Sequence, residues 1–254
     1  MISRSIAKKQ AATAIRQFSN TCKLLQTSKG EPQSDQTESK KYNRDQLSYG
    51  ALSPAQKAYL DRVIRVDQAG ELGANYIYMG QIIVLASRYP HLKPLLTHMR
   101  EQEVHHHNTF NDLQVRRRVR PSLITPIWKV GAIAMGMGTS LLGKEAAMAC
   151  TVAVETVIGG HYNEQLRVLT NQYNVPIYNK ETGDVVAKSE ISSEASTSEE
   201  LNTLKEEIKL FRDQELEHLD IAIENDAEKA RPYYLLTEGI KTICKGAIWA
   251  AERV

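Results

Sequence analysis

A seven-residue run, Arg100-Glu101-Gln102-Glu103-Val104-His105-His106, returns as Arg212-Asp213-Gln214-Glu215-Leu216-Glu217-His218, keeping Arg, an acid, Gln, Glu and a His three residues after that Glu. On an α-helix, positions i and i+3 share one face and lie about 4.5 Å apart along the axis, so a carboxylate and an imidazole at this spacing can converge on one ion. The repeat extends upstream: Glu71 is followed by Tyr78 and Gln81 at +7 and +10, and Glu155 by Tyr162 and Gln165 at the same offsets. Each half thus supplies one early Glu and one later Glu-x-x-His. A chain carrying this pattern twice is expected to be all-α, with four helices bundled so that the two halves face each other.

One Glu-x-x-His carries little weight, because a Glu-rich helix produces it by chance on a solvated face. The pair weighs more because of its setting. Glu71 lies within Ala69-Gly70-Glu71-Leu72-Gly73-Ala74 and Glu155 within Thr151-Val152-Ala153-Val154-Glu155-Thr156-Val157-Ile158, both largely apolar. An ionised carboxylate there is costly unless it pairs or binds a cation. Two helices giving a Glu each and two giving Glu-x-x-His is the ligand arrangement of ferritin-like di-iron carboxylate bundles. Mixed carboxylate and imidazole donors suit iron or manganese rather than structural zinc, and do not separate the first two sharply. The expected metal ligands, which are also the catalytic residues, are Glu71, Glu103, His106, Glu155, Glu215 and His218. Glu103 and Glu215 would bridge two ions, Glu71 and Glu155 would be terminal, and each His would bind one ion. Tyr78 and Tyr162 are read as supporting contacts to the ligands or to substrate, with core packing the plainer alternative. Gln102 and Gln214 precede ligands by one residue, point away and are weaker candidates. His105 and His107 are read as surface residues.

Charge is distributed unevenly along the chain. The first thirty residues carry Arg4, Lys8, Lys9, Arg16, Lys23 and Lys29, no acid, and the apolar residues Ile2, Ile6, Ile15 and Phe18. That composition is expected of a mitochondrial transit peptide, residues 1–30, with Arg16-Gln17-Phe18-Ser19 placing a cut after Phe18. Without these six cations the net charge moves from +2 to about −4, so the basicity belongs to the leader and no nucleic-acid footprint remains. Residues 31–52 read as a polar linker, and 53–254 as one domain with an exposed polar insertion over 174–196. The three cysteines, Cys22, Cys150 and Cys244, are far apart and form no Cys-x-x-Cys, which excludes a disulfide frame and a zinc or rubredoxin-type iron site.

Within the domain, Ser53-Pro54 opens a helix that runs through Glu71 to about Ser87, and a second spans about Lys93 to Arg116. The third bundle helix is expected from about Glu145 to Tyr173 and the fourth from about Ser198 to Lys229. Two further segments are apolar. Residues 123–143 are punctuated by Lys129 and glycines, and are too short and interrupted to span a bilayer. A helix lying in the membrane interface and a crossover helix packed in the bundle both fit this stretch. A last helix from Pro232 carries Leu235, Leu236, Ile240, Ile243, Ile248 and Trp249, and offers the same two readings.

Three stretches carry a resemblance: Arg65-Val66-Asp67-Gln68-Ala69-Gly70-Glu71, Cys150-Thr151-Val152-Ala153-Val154-Glu155 and Phe211-Arg212-Asp213-Gln214-Glu215-Leu216-Glu217-His218. The chain resembles the mitochondrial demethoxyubiquinone hydroxylases of ubiquinone biosynthesis, from about Ala55 to its C-terminus. The resemblance implies a membrane-associated di-iron monooxygenase that uses O₂ to hydroxylate the ring of a demethoxylated polyprenyl benzoquinol. Its reductant would be NADH or the quinol itself. It further implies a peripheral position on the matrix side of the mitochondrial inner membrane, in a complex with other ubiquinone-biosynthesis proteins. The 174–196 insertion is longer than the family pattern. Two other readings stand beside it: a ferritin-like oxidase of iron or peroxide with the same six ligands, and a scaffold of a lipid-synthesis complex with a vestigial site.

Overall fold

The computed structural model describes residues 41–254. The expected leader and residues 31–40 of the expected linker lie outside the described residues. Six long helices make up most of the described chain: α1 (Pro54–Arg88), α2 (Lys93–Arg117), α3 (Thr125–Leu141), α4 (Lys144–Gln172), α5 (Glu199–Glu224) and α6 (Tyr233–Ala251). Two short strands, β1 (Leu47–Tyr49) and β2 (Ile177–Asn179), complete the named elements.

Local chemistry sets the ends of the helices. The Ser53 hydroxyl accepts from the Gln56 N–H at 3.3 Å, while the Gln56 side chain accepts from the Ser53 N–H at 2.9 Å. This reciprocal cap, with Pro54 in the first turn, fixes the start of α1. Pro90 ends it, and a short connection returns the chain into α2. Gly143 sits at φ 130°, a conformation that L side chains rarely adopt, and lets α3 turn directly into α4. The expected fourth bundle helix stops at Glu224 instead of Lys229, because Asp226 takes a left-handed conformation (φ 72°) and its carboxylate pairs with Lys144 and Lys229 at 2.6 Å each.

α1, α2, α4 and α5 form the bundle, and two apolar plugs fill it. One gathers Leu60, Phe110, Tyr162, Leu169, Ile208 and Phe211. The other gathers Tyr78, Leu96, Met99, Met148, Val152 and Ala222. Every helix carries its acidic ligand candidate between a residue of one plug and a residue of the other, so the four glutamates are held at mid-bundle. α3 and α6 pack outside against α1 and α4, sharing a smaller cluster built on Ile77, Ala132, Cys150, Val154 and Ile240. α3 crosses α1 at a pair of glycines. A Cβ on Gly80 would lie 2.6 Å from the Ile133 carbonyl oxygen, and one on Gly136 would collide with the Ile77 carbonyl.

The polar segments differ from their compositional reading. Leu47–Tyr49 pairs antiparallel with Ile177–Asn179, so residues 41–52 belong to the folded body rather than to a linker. The 174–196 segment is mostly exposed yet ordered around its own small core of Ile177, Val186, Ile191 and Ala195, which Leu47 completes. Five apolar anchors among many polar residues leave the average composition polar, and the average hides them.

Candidate metal centre

All six expected ligands meet at mid-bundle and none is more than 1% exposed. They form two sets: Glu71, Glu103, His106 and Glu215, and Glu103, Glu155, Glu215 and His218, with the ligand atoms of each set within 4.8 Å of one another. Glu103 and Glu215 belong to both sets. Their two oxygens divide between the histidines: His106 Nδ1 lies 3.1 Å from Glu215 Oε1 and 3.8 Å from Glu103 Oε2, and His218 Nδ1 lies 3.2 Å from Glu215 Oε2 and 3.1 Å from Glu103 Oε1. Glu71 Oε2 stands 3.2 Å from His106 Nδ1. Glu71 with His106 therefore occupies one end of the pair of shared carboxylates, and Glu155 with His218 the other.

The residues fit two hard cations on a structural test. Among the described residues, both oxygens of Glu103 and of Glu215, and Oε2 of Glu155, are buried without a hydrogen-bond donor in proper geometry. Buried carboxylate oxygens are ordinarily satisfied, and oxygens converging without donors are what a cation site provides. The donor set contains oxygen and imidazole nitrogen with no thiolate, which suits iron or manganese.

Electrostatics follow from this crowding. Burial, and then the Glu215 carboxylate, hold the Glu103 and Glu155 carboxyls well above their usual range. Burial draws His106 down, but the nearby Glu215 and Glu71 carboxylates outweigh it and carry the imidazole up to about 11. Burial raises Glu215, yet the two histidines prevail and hold it at about 2. His218 is raised in the same way as His106, with the nearby Glu215 and Glu155 carboxylates overcoming desolvation.

The supporting contacts run between halves. Tyr78 donates to Glu155 Oε1 at 2.7 Å, and Tyr162 donates to Glu71 Oε1. Burial, then the facing glutamate, raises both phenols and keeps their protons in place. The tyrosines therefore serve the ligands as well as the core. His106 Nε2 faces Gln214 Oε1 at 2.7 Å, and His218 Nε2 faces Gln102 Oε1 at 2.8 Å. This corrects the reading of the two glutamines as residues that point away: each turns from its own ligands and meets the histidine of the other half. Gln81 donates to Thr151 at 3.2 Å, and Gln165 donates to Asp67 at 2.6 Å. Asp67 is a buried acid that the spacing did not single out; burial holds its carboxyl well above the usual range. Its signal was present, since it stands one turn before Glu71 as Thr151 stands one turn before Glu155. His107 is half-buried against the Gln68 carbonyl rather than on the surface. His105 is exposed, as expected.

A groove of about 480 Å³ lies beside the cluster. Gly70, Gly73 and Ala74 of α1 and Val154 of α4, neighbours in sequence of Glu71 and Glu155, form part of its wall. α3 and α6 supply the rest through Trp128, Met135, Ile240, Cys244 and Ile248, so the wall is almost wholly apolar.

Residues 58–251 match the family model described as ubiquinone biosynthesis protein COQ7. The chain is 63% identical over 203 residues to the mitochondrial 5-demethoxyubiquinone hydroxylase of Saccharomyces cerevisiae, covering 80% of this chain and 82% of that protein. It is 42% identical over 203 residues to the human mitochondrial NADPH-dependent 3-demethoxyubiquinone 3-hydroxylase, with coverage of 80% and 82%. To the 3-demethoxyubiquinol 3-hydroxylase of Rhodospirillum rubrum it is 43% identical over 201 residues, with coverage of 79% and 81%.

Proposed function

Because the chain belongs to the family of ubiquinone biosynthesis protein COQ7, we propose that it is a di-iron monooxygenase that hydroxylates the ring of a demethoxylated polyprenyl benzoquinol. The observation that carries this reading is the pair of ligand sets sharing Glu103 and Glu215, set beside an apolar groove. Glu71 and His106 would hold one iron and Glu155 and His218 the other, with Glu103 and Glu215 available to both. Activation of O₂ is the chemistry that iron would supply there.

The chemistry requires a ring C–H to be replaced by C–O(H), with the second oxygen atom leaving as water. Two electrons and two protons must come from a reductant. A reduced nicotinamide is the proposed donor, since relatives such as the human protein are named NADPH-dependent; the quinol is the alternative source. Within the chain, Tyr78 and Tyr162 hold Glu155 and Glu71 in place by donating to Oε1 of each. The groove excludes water and seats the apolar tail, because a polyprenyl chain has no polar atoms to satisfy and gains from each apolar contact.

Such a substrate stays in a bilayer, so the enzyme must reach it from the interface. No helix among the described residues is long and apolar enough to cross a membrane. α3 and α6 nevertheless expose Ile127, Val130, Leu235 and Ile243, beside the groove they help to wall. We assign these faces to a membrane surface, proposed to be the matrix side of the mitochondrial inner membrane; relatives named mitochondrial support the organelle. Other ubiquinone-biosynthesis proteins are the proposed partners there.

The test is iron content of the chain beside Glu103→Ala and His218→Ala, followed by turnover of a demethoxyquinol under ¹⁸O₂. Two irons per chain, lost in both variants, and one labelled oxygen in the ring product support the reading. A well-folded protein that takes up no iron, or a product without label, overturns it.

A further inference from the structure

Gln102 and Gln214 stand at the same offset in the two repeats, one residue before each shared glutamate, and the structure gives both the same task across the bundle. Gln214 Oε1 faces His106 Nε2 at 2.7 Å and Gln102 Oε1 faces His218 Nε2 at 2.8 Å. We infer that these two glutamines are positioning residues for the metal centre, each fixing the imidazole of the opposite repeat. The inference rests on the di-metal reading and goes beyond it.

An imidazole can offer a lone pair at Nδ1 only if its proton sits on Nε2, and a buried N–H needs an acceptor. The amide oxygens provide it at both sites. Ring orientation is completed by the aromatic residues: the Phe211 ring lies 4.1 Å from that of His106, and Tyr78 meets His218 edge-on at 5.8 Å. Because the pairs cross, α2 and α5 each carry a shared carboxylate, one histidine and the acceptor for the other helix's histidine. Neither helix can shift without loosening both ligand sets.

The acceptor is neutral, and that has a consequence for redox chemistry. Four carboxylates balance two divalent ions, so the reduced centre with neutral histidines carries no net charge. A carboxylate acceptor would add buried negative charge and strengthen the imidazole as a donor, which favours the oxidised metals. The two glutamines therefore hold the centre in a form that is easier to reduce.

The probe is Co(II), titrated into the metal-stripped full chain and followed by its visible band, with iron loading for the potential. Gln214→Leu is expected to weaken one of two ions about 10–100-fold, and the same ion as His106→Ala. Gln102→Leu is expected to weaken the other, matching His218→Ala. Gln214→Glu keeps an acceptor and is expected to keep Co(II) affinity while lowering the reduction potential of the iron form. Leucine variants that bind both ions within twofold of the parent, with the band unchanged, overturn the inference. So does a Gln214→Glu variant whose affinity falls as far as that of Gln214→Leu, or whose potential does not move; this arm decides the matter if the leucine variants do not fold. A parent chain that binds no Co(II) removes the di-metal reading itself, whereas a parent that binds two leaves that reading standing whatever the glutamines do.

Discussion

At the scale of the residue, protons and metals compete for the same atoms. His106 is carried to about 11 by Glu215 and Glu71 against the effect of burial, so without a metal its imidazole holds a second proton at neutral pH; burial also raises Glu103 and Glu155. Metal ligands must be deprotonated, and uptake therefore releases protons. A pH-stat titration with Fe(II) at pH 7 should record net proton release, and affinity should rise with pH by up to about tenfold per unit for each proton released. Uptake without proton release would contradict the assignment of these groups. A second expectation concerns Tyr78. Phenylalanine there removes the only donor to Glu155 Oε1 among the described residues, leaving both oxygens of a buried carboxylate without one. Chemical denaturation should register a loss of about 1–3 kcal/mol. The six ligand candidates were legible in the sequence because helical period alone decides which residues share a face. The partner of Tyr78 and the role of Gln214 were not, because a helical wheel gives a direction but not the partner on the facing helix.

At the scale of the element, the crossing of α1 and α3 decides the shape of the groove. Gly80 and Gly136 bring the two backbones together, where a Cβ on either would strike main-chain atoms that cannot turn aside. Gly136→Ala should therefore lower stability by about 1–3 kcal/mol through overpacking and lower the melting temperature measured by circular dichroism. Gly138→Ala is the contrasting case. It lies in the same helix with nothing within 4 Å of a new Cβ, and should be neutral or stabilise by about 0.5–1 kcal/mol through helix propensity. If both variants behaved alike, the close approach would not be what places α3. Composition reads the glycines of 123–143 as punctuation, whereas packing makes Gly136 a contact surface. Helix ends at Pro54 and Pro90 were readable from local chemistry alone. The end of α5 was not, because it depends on Asp226 meeting Lys144, which comes from a different helix.

At the scale of the whole molecule, the groove and the exposed faces of α3 and α6 lie on the side of the bundle formed by α1 and α4, the helices that carry Glu71 and Glu155 at mid-bundle. Ile127 is 64% exposed and Leu235 71% exposed, so aspartate at both costs little in folding, within about 0.5 kcal/mol at each site. The double variant should keep its melting temperature and iron content while losing flotation with liposomes. Equal flotation of variant and parent would take these faces off the membrane. The sequence by itself determined the fold class, the duplicated halves and the six metal ligand candidates, because periodicity and capping act within a few residues and survive in any context. Only the tertiary structure decided which residues pair across the halves, that 41–52 folds onto 174–196, and that two apolar helices leave a groove walled in part by neighbours of Glu71 and Glu155. Those features depend on groups distant in sequence meeting at fixed distances, and such meetings are set by the packing of complete helices rather than by any local pattern.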